Sequence, residues 1–239
     1  ERARSLKVTP RGVGASIGTS MHEVAAYSMS NKIATGELGS AEEAEQRALA
    51  KFEEIKSTEG IEYDSHTLTY DRAQKQLCTL TEVYRGQLAP LIQPVEVEKR
   101  LFCDLGDGFY ASGQFDVREI STIRDLKTGA ASRAHISQYG LYFILCAVNE
   151  RPAANIIEDW LPRSKDPKPE HFEYDVHVAA RAARSIIRRI KADIAEFRAT
   201  QEPSAFIANP QSMLCGDKFC PAWGTKFCRE HKMKGENHS

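Results

Sequence analysis

Two short stretches, "GQFD" ending at Asp116 and "DLKTG" beginning at Asp125, place two acids and a lysine in a region whose residues alternate as in a β-sheet. Alternate side chains of a strand lie on one face, so Asp125 and Lys127 would project together while Leu126 points into a core. A hairpin joining the two stretches would set Asp116 directly opposite Asp125, and Lys127 near Gln114. Like charges at opposed positions destabilise a sheet by a few tenths to about 1 kcal/mol, so the two acids need a compensating partner.

A divalent cation is the partner that two such carboxylates favour. Mg²⁺ and Mn²⁺ prefer oxygen ligands and would turn the repulsion between Asp116 and Asp125 into coordination. Lys127 would then lie beside the metal, where its ammonium group can hold a water molecule or a phosphate oxygen. Glu98, on the preceding predicted strand, is a candidate for a second metal or water position, or it belongs with Glu96 to a solvated face. This set suits phosphodiester hydrolysis, which needs a positioned water, neutralised phosphoryl oxygens and a stabilised leaving group.

The elements that must position these residues follow from periodicity, capping residues and turn residues. Serine and threonine after glycines predict a helix that begins near Thr19 or Ser20, with His22 in its first turn. Helical period continues in "SAEEAEQRALAKFEEIK", "LTYDRAQKQLCTLTEVYRGQLAPLI", "AHISQYGLYFILCAVNE" and "AARAARSIIRRIKADIAEFRAT". Strand character is found in "PVEVEKRLFCDL", "GFYASGQFDVRE", "STIRDLKTG", "AANIIEDWLPR" and "HFEYDVHV". The order of helices, a three-strand antiparallel meander, a helix, strands and a helix predicts an α/β fold with a mixed β-sheet flanked by helices.

The composition is that of an ordinary globular chain, with 239 residues, 27% of them charged, and a formal net charge of -1. Because the chain has no general positive charge, a local basic patch would have to bind a polyanion such as DNA. No apolar run approaches the roughly 20 residues of a membrane span, and the first residues lack a signal-peptide core, so we expect no membrane contact. We expect a cytoplasmic protein of a bacterial or phage-infected cell, or one associated with the nucleoid.

Four motifs in sequence order, "GTSMH", "GQFD", "DLKTG" and "QYGLY", resemble the PD-(D/E)XK nuclease superfamily in its RecB-like branch. That branch includes the nuclease domains of bacterial recombination helicases, CRISPR-adaptation exonucleases and many phage exonucleases. The resemblance covers residues 16 to 146 of this chain. It implies a restriction-endonuclease-like core for the mixed sheet and its helices.

The resemblance also implies roles for particular residues. It implies that Mg²⁺ or Mn²⁺ is bound by His22, Asp116, Asp125 and the backbone carbonyl of Leu126, with Lys127 as the catalytic lysine. The helix after the catalytic strand matches the family's Q-x-x-x-Y pattern in part, because Tyr139 follows Gln138 at once whereas Tyr142 has the i+4 spacing. We therefore expect Gln138 to act in catalysis and both tyrosines to contact the substrate.

The implied function is a metal-dependent deoxyribonuclease, an exonuclease that acts on DNA ends in recombination, repair or phage DNA processing. The alternative is a nuclease-fold DNA-binding subunit of a recombination complex, weakly active alone and directed by a recombinase or helicase partner. A module that only binds DNA would usually have lost Asp116, Asp125 or Lys127. All three are present, which favours the enzyme.

A basic stripe runs along the last predicted helix. Arg181, Arg184, Arg188 and Lys191 recur at helical spacing on one side. Such a stripe is either a solvated face or a contact for the DNA backbone, with Arg184 and Arg188 as the candidate substrate-binding residues.

A second candidate metal site lies near the C-terminus, where Cys215, Cys220, Cys228 and His231 form a set suited to zinc. In the iron-sulfur members of the family, as the resemblance implies, three C-terminal cysteines join one near the N-terminus around a [4Fe-4S] cluster. The third possibility is that these cysteines are small buried apolar residues without a metal. We expect a nuclease domain over residues 1–203 and a cysteine-containing extension over residues 204–239 that packs on it.

An iron-sulfur cluster would need a fourth ligand, since four cysteines usually hold it. No cysteine precedes Cys78 in this chain. The fourth ligand would come from outside the chain or from one of three cysteines: Cys78, Cys103 and Cys146.

Overall fold

The computed structural model describes residues 10–129 and 135–201, together with residues 216, 220 and 223. The chain forms two compact units, one of residues 11–186 and the other of residues 1–10 and 187–239. The predicted boundary between residues 203 and 204 falls inside the second unit, most of which lies outside the described residues. The predicted domain division therefore stays a prediction.

The described ranges contain five α-helices: α1 (Val13–Thr35), α2 (Ala41–Glu59), α3 (Tyr70–Val83), α4 (Ile136–Val148) and α5 (Val176–Thr200). Two of them begin at side-chain caps, because Ser40 accepts from the Glu43 N–H and Thr69 accepts from the Arg72 N–H. A π-helical turn over Tyr84–Leu88 continues α3. Within the described ranges, no helix combines the length and the apolar character needed to cross a membrane.

The predicted start of the first helix was wrong, because α1 begins at Val13 and not near Thr19 or Ser20. His22 is therefore well inside the helix and not in its first turn. The serine hydroxyls that suggested a cap bond instead to carbonyls one turn earlier, Ser16 to Gly12 and Ser20 to Ser16. Such back-bonding satisfies a hydroxyl within a helix, so a serine alone does not mark where the helix begins.

Nine strands follow from the described pairings: β1 (Arg11–Gly12), β2 (Ile61–Glu62), β3 (Glu96–Val97), β4 (Arg100–Asp104), β5 (Tyr110–Gln114), β6 (Val117–Arg118), β7 (Thr122–Gly129), β8 (Asn155–Pro162) and β9 (Glu170–Tyr174). The main sheet has the order β3-β6-β7-β8-β9, and the short β1 and β2 pair apart from it. Only β7 and β8 run parallel in the main sheet, because α4 connects them as a crossover. The predicted mixed sheet flanked by helices is confirmed.

The first hairpin of the predicted meander divides between two sheets. At the open end of the hairpin β3 pairs with β6 in the main sheet, whereas β4 and β5, next to the turn, form a separate two-stranded sheet. The division lies at Glu98, whose φ of 46° is in the left-handed region and so turns the chain out of the strand. Gln114 consequently pairs with Arg100. The expectation that Lys127 lies near Gln114 was wrong, because β5 belongs to the separate two-stranded sheet and does not pair with β7.

The two faces of the main sheet are covered by separate hydrophobic cores. Leu126 and Leu161 belong to a core built with α1, α2 and α3. Ile123 and Ile156 face the opposite core, which contains residues of α4 and of β4. Alternation along β7 thus sends Leu126 to one core and Asp125 and Lys127 to the other face, as the sequence predicts.

Two glycines of the sequence motifs are required by close packing around α4. A Cβ added at Gly140 would lie 1.9 Å from the carbonyl oxygen of Ala179, at the start of α5. A Cβ added at Gly113 would lie 2.9 Å from Leu145 and 3.1 Å from the ring of Tyr142. Both glycines therefore let α4 approach its neighbours closely and fix its position over the face that bears Asp125.

Candidate active site

The candidate site lies beside β7, at the point where the chain passes from β5 in the small sheet to β6 in the main sheet. The ladder between β6 and β7 ends at the pair Val117 and Arg124, and one step further along the same register stand Asp116 and Asp125. At that step the Asp116 carboxylate replaces a backbone acceptor, since its Oδ2 accepts from the Leu126 N–H at 2.7 Å. The Asp116 carboxylate is partly exposed at the gap left by the departing strand, and the Asp125 carboxylate lies buried behind it.

His22 reaches the opening from α1. Its Nδ1 lies 3.2 Å from Oδ2 of Asp116, and both side chains are half-buried. Burial lowers the pKa of His22, but the charge of Asp116 and the hydrogen bond to it outweigh burial and raise the pKa above its usual value. The imidazole and the carboxylate therefore act as a pair in this structure.

Asp125 is almost completely buried, with 1% of its area exposed. Its Oδ2 contacts the ammonium group of Lys127 and lies 3.4 Å from the hydroxyl of Tyr139. Its Oδ1 is buried and has no hydrogen-bond partner among the described residues. Burial and the charge of Asp116 raise the pKa of Asp125 to about 7, although Lys127 acts in the opposite direction.

These residues fit a hard divalent cation, although they do not form a ready-made metal centre. In the part of the chain that is described, no group of three or more His, Cys, Asp or Glu side chains is arranged to hold a metal ion as it stands. Lys127 and His22 instead balance Asp125 and Asp116. A cation beside Asp125 Oδ1 would supply the partner that this buried oxygen lacks, and carboxylate oxygens with one imidazole suit Mg²⁺ or Mn²⁺.

Glu98 stands at the same opening because the hairpin divides at this residue. Its backbone N–H donates to the carbonyl oxygen of Asp116 at 2.8 Å. The side chain is exposed on one side, yet partial burial and the charge of Asp116 raise the pKa of the Glu98 carboxyl. The structure thus brings Glu98 near His22 and Asp116, and its role in a second metal or water position stays a prediction.

Of the three polar side chains of the "QYGLY" motif on α4, one is exposed and the two tyrosines are buried, with Tyr142 7% and Tyr139 0% exposed. Gln138 is exposed, and its Nε2 donates to the hydroxyl of Tyr142 at 2.6 Å. Tyr139 is fully buried, and burial and the charge of Asp125 raise its pKa. The i+4 pair is therefore linked as the spacing suggests, whereas Tyr139 lies behind Asp125 and does not reach a surface that a substrate could touch.

Glu158 is a buried acid that sequence reasoning missed. It pairs in register with Asp125 on the neighbouring parallel strand and is 0% exposed. Its Oε2 accepts from the hydroxyls of Tyr139 and Tyr174, the latter at 3.2 Å. The available signal was an acid inside the apolar run "NIIEDWLP", because a strand buried on both faces rarely carries a charged side chain without a partner.

The remaining predicted residues lie elsewhere in the chain. Arg184 and Arg188 are exposed on α5, as a contact with a nucleic-acid backbone would require. Their role stays a prediction.

The C-terminal cysteine site falls largely outside the described residues, which include Cys220 but not Cys215, Cys228 or His231. Cys220 is half-buried with a free thiol. The proposed zinc or [4Fe-4S] site therefore stays a prediction.

The three earlier cysteines have places of their own in the fold. Cys103 and Cys146 are buried in the core under α4. Burial raises the pKa of Cys78 and of Cys146 to about 11, which disfavours the thiolate that a metal would need.

The sequence matches the PD-(D/E)XK nuclease superfamily over residues 1–225. No curated protein sequence matches the chain significantly. The crystal structure of a candidate exonuclease from Eubacterium rectale is 10% identical, with a TM-score of 0.53 over 92% of this chain and 93% of that one. The crystal structure of SSO0001 is 13% identical over 84% of this chain and 88% of that one, with a TM-score of 0.31 that supports no conclusion.

The Eubacterium rectale structure is too different in sequence to bear on more than the fold, and it shares that fold with this chain. The family match spans nearly the whole chain and includes every element around Asp116, Asp125 and Lys127. The chain belongs to the PD-(D/E)XK nuclease superfamily.

Proposed function

We propose that this protein is a Mg²⁺- or Mn²⁺-dependent deoxyribonuclease, an exonuclease that hydrolyses phosphodiester bonds at DNA ends in recombination, repair or phage DNA processing. The observation that carries the proposal is the convergence of His22, Asp116, Asp125 and Lys127 at the gap between β5 and β7. The choice of an exonuclease follows the motif resemblance to phage-type enzymes. The name of the Eubacterium rectale relative points the same way.

His22, Asp116, Asp125 and the backbone carbonyl of Leu126 would hold the metal ion. A bound divalent cation lowers the pKa of a water molecule and neutralises charge on phosphoryl oxygens. Asp116 is already fixed for this role, because the Leu126 N–H holds its Oδ2. Asp125 contributes an oxygen that is buried and without a partner among the described residues.

Lys127 would orient the attacking water or a phosphate oxygen. It projects from the same face of β7 as Asp125 and lines a pocket beside that acid. The Lys127 ammonium group would offer its positive charge to a phosphate oxygen of the substrate. Glu98, which borders the same opening, would accept a proton from the water or hold a second cation.

Gln138 and Tyr142 would contact the substrate strand. Their mutual hydrogen bond fixes the amide of an exposed side chain next to the opening. The exposed Arg184 and Arg188 of α5 would bind phosphates of the DNA backbone. Tyr139 is assigned a supporting role behind Asp125 because it is fully buried.

A cleavage assay tests the proposal on end-labelled linear DNA and covalently closed circular DNA, with Mg²⁺, Mn²⁺ or EDTA. We expect metal-dependent degradation of the linear DNA with the circular DNA intact. Cleavage of circular DNA would make the protein an endonuclease, and cleavage of RNA alone would replace its substrate. Binding of DNA with only weak cleavage, increased by a recombinase or helicase, would support the alternative of a directed subunit.

A further inference from the structure

The two exposed aromatic rings of the described chain lie on the small sheet of β4 and β5. Phe102 on β4 is 61% exposed, and Tyr110 on β5 is 72% exposed. Every other phenylalanine, tyrosine and tryptophan in the described ranges is buried or half-buried. The exposure of aromatic rings is therefore a local property of this two-stranded ribbon.

The register of the ribbon places both rings on one face. Phe102 pairs with Ser112 and Tyr110 pairs with Asp104, so the rings are diagonal neighbours whose Cβ atoms lie about 7 Å apart. Alternation along β4 sends Leu101 to the other face, into the core that contains α4. The face opposite that core, here called the outer face, consists of six residues: Arg100, Phe102, Asp104, Tyr110, Ser112 and Gln114.

The open end of the ribbon joins the candidate active site. Glu98 stands two residues before Arg100, and Asp116 stands two residues after Gln114, which is the partner of Arg100. Arg100 and the preceding Lys99 are both exposed. A strand of nucleic acid that leaves the site along the ribbon would therefore meet positive charge first and the two rings beyond it.

This order of charge and rings suits an unpaired strand. Unpaired bases present their faces to aromatic side chains, whereas the bases of a duplex are already stacked on one another. The acids Asp104 and Asp107 lie at the turn of the ribbon, so the phosphates would stay at the Arg100 end and the bases would reach the rings. A protein partner would instead favour a contiguous apolar patch, but polar side chains stand opposite both rings.

We propose that the outer face of the ribbon binds the unpaired part of the DNA strand whose end lies in the candidate active site. Phe102 and Tyr110 would each stack on a base, and Arg100 would contact a phosphate. The ribbon is held in place before binding, because Leu101 and Cys103 are buried against α4. Groups that are already fixed lose little conformational freedom on binding. The inference rests on the proposed function and adds a surface for the strand outside the site of hydrolysis.

Fluorescence anisotropy in EDTA tests the inference with a labelled oligothymidylate and with a labelled blunt duplex. We expect the wild type to bind the oligothymidylate more tightly. Phe102→Ala and Tyr110→Ala should each weaken its binding about tenfold, which corresponds to about 1.4 kcal/mol for one lost stacking contact. Both variants should bind the duplex as the wild type does. Tyr110→Phe keeps the ring and should bind the oligothymidylate as the wild type does.

Two further variants separate the charge from the rings. Arg100→Gln should lower the slope of log affinity against log salt by about 0.7, the value for one phosphate contact on a single strand. Ile120→Ala is the matched control for the alanine variants, since Ile120 is an apolar residue, 80% exposed, between β6 and β7. This control should bind the oligothymidylate as the wild type does.

The inference fails if both alanine variants bind the oligothymidylate like the wild type, if they weaken duplex binding equally, or if the wild type prefers the duplex. Thermal unfolding should first show that each variant folds, and if one alanine variant does not fold, the other decides. A protein that degrades linear DNA while its ribbon variants bind normally would keep the proposed function and lose the ribbon assignment. A protein that binds the oligothymidylate through the rings without cleaving DNA would keep the ribbon assignment and lose the proposed function.

Discussion

Asp125 and Glu158 occupy paired positions on neighbouring parallel strands, and the hydroxyl of Tyr139 lies between their carboxyl groups. Both acids are buried, and each has one oxygen without a partner among the described residues. Two adjacent buried acids do not help a sheet to fold, because removing a polar group from water costs free energy unless each of its atoms finds a partner. Buried acids with an unpartnered oxygen beside a candidate site are typical of groups that act in binding or catalysis.

Removing the charged groups at the gap should abolish cleavage while leaving the fold intact. Asp116→Asn, Asp125→Asn and Lys127→Ala should each lower the rate about 100-fold or more, because each removes a group that acts at the transition state. Asparagine at position 116 can still accept from the Leu126 N–H, so this variant should fold. The measurement is the rate of degradation of end-labelled DNA with saturating Mg²⁺.

The matched control for the lysine is Lys168→Ala, since the side chain of Lys168 is 82% exposed. This control should cut at the wild-type rate. The Lys127→Ala protein should still bind DNA in a fluorescence anisotropy titration. If it instead cleaves as fast as the wild type, Lys127 has no part in the reaction.

The stability of the metal-free protein should depend on pH through Asp125. Its pKa is about 7 in the folded protein and near 3.9 in an unfolded chain, so the folded state holds the proton more tightly between these values. Stability should therefore be greatest below about pH 4 as far as Asp125 is concerned, and should fall as the pH rises through 7. His22, whose pKa is also raised, contributes in the same direction. The measurement is the thermal unfolding midpoint from pH 4 to 8 in EDTA.

Asp125→Asn should flatten this dependence, and Asp166→Asn, at an exposed position, should not. Mg²⁺ added at pH 8 should stabilise the wild type more than Asp125→Asn, because a carboxylate binds the cation more strongly than the neutral amide does. Parallel pH curves for the wild type and Asp125→Asn would show that the pKa of Asp125 is not raised.

Tyr139→Phe should destabilise the protein by about 1–3 kcal/mol, because it removes a donor from the buried carboxyl groups of Glu158 and Asp125. Tyr110→Phe is the matched control, since Tyr110 is 72% exposed and should change stability by less than about 0.5 kcal/mol. Urea unfolding of the metal-free proteins measures both. Equal free energies of unfolding for the two variants would mean that the Tyr139 hydroxyl does not support these acids.

Gly140→Ala should destabilise the protein by about 1–3 kcal/mol or more, since the added Cβ would overlap the carbonyl oxygen of Ala179. Gly86→Ala is the control, because nothing lies within 4 Å of a Cβ at that position. The free energy of unfolding in urea distinguishes the two. A Gly140→Ala protein as stable as Gly86→Ala would show that α4 can move away from α5 at little cost.

Replacing Arg184 and Arg188 by glutamine should weaken DNA binding equally for all sequences. The slope of log affinity against log salt should fall by about one unit for each phosphate that the protein no longer binds. Lys165→Gln with Lys168→Gln removes the same charge from another exposed segment and should leave the slope unchanged. Superimposable curves for the arginine variant and the wild type would identify the stripe as a solvated face.

The sequence by itself predicted most of the elements and the main residues of the candidate site. Periods of two and of 3.6 residues identified the five helices and most strands, because burial of one face dictates those patterns. The alternation around Leu126 identified Asp125 and Lys127 as neighbours on one face. The short turn between β6 and β7 fixes their register and so places Asp116 opposite Asp125. These relations are local, so nearby residues are sufficient to specify them.

Only the tertiary structure decided the relations that join distant segments. The division of the hairpin at Glu98 depends on a left-handed backbone angle that glutamate does not signal. Glu158 became a neighbour of Asp125 because α4 returns the chain into a parallel pairing, and the register of such a pairing is not encoded in a turn. The pocket beside Lys127 is likewise formed by α1, β7, β8 and the turn at Asp64, four segments that meet only when both cores close around the sheet.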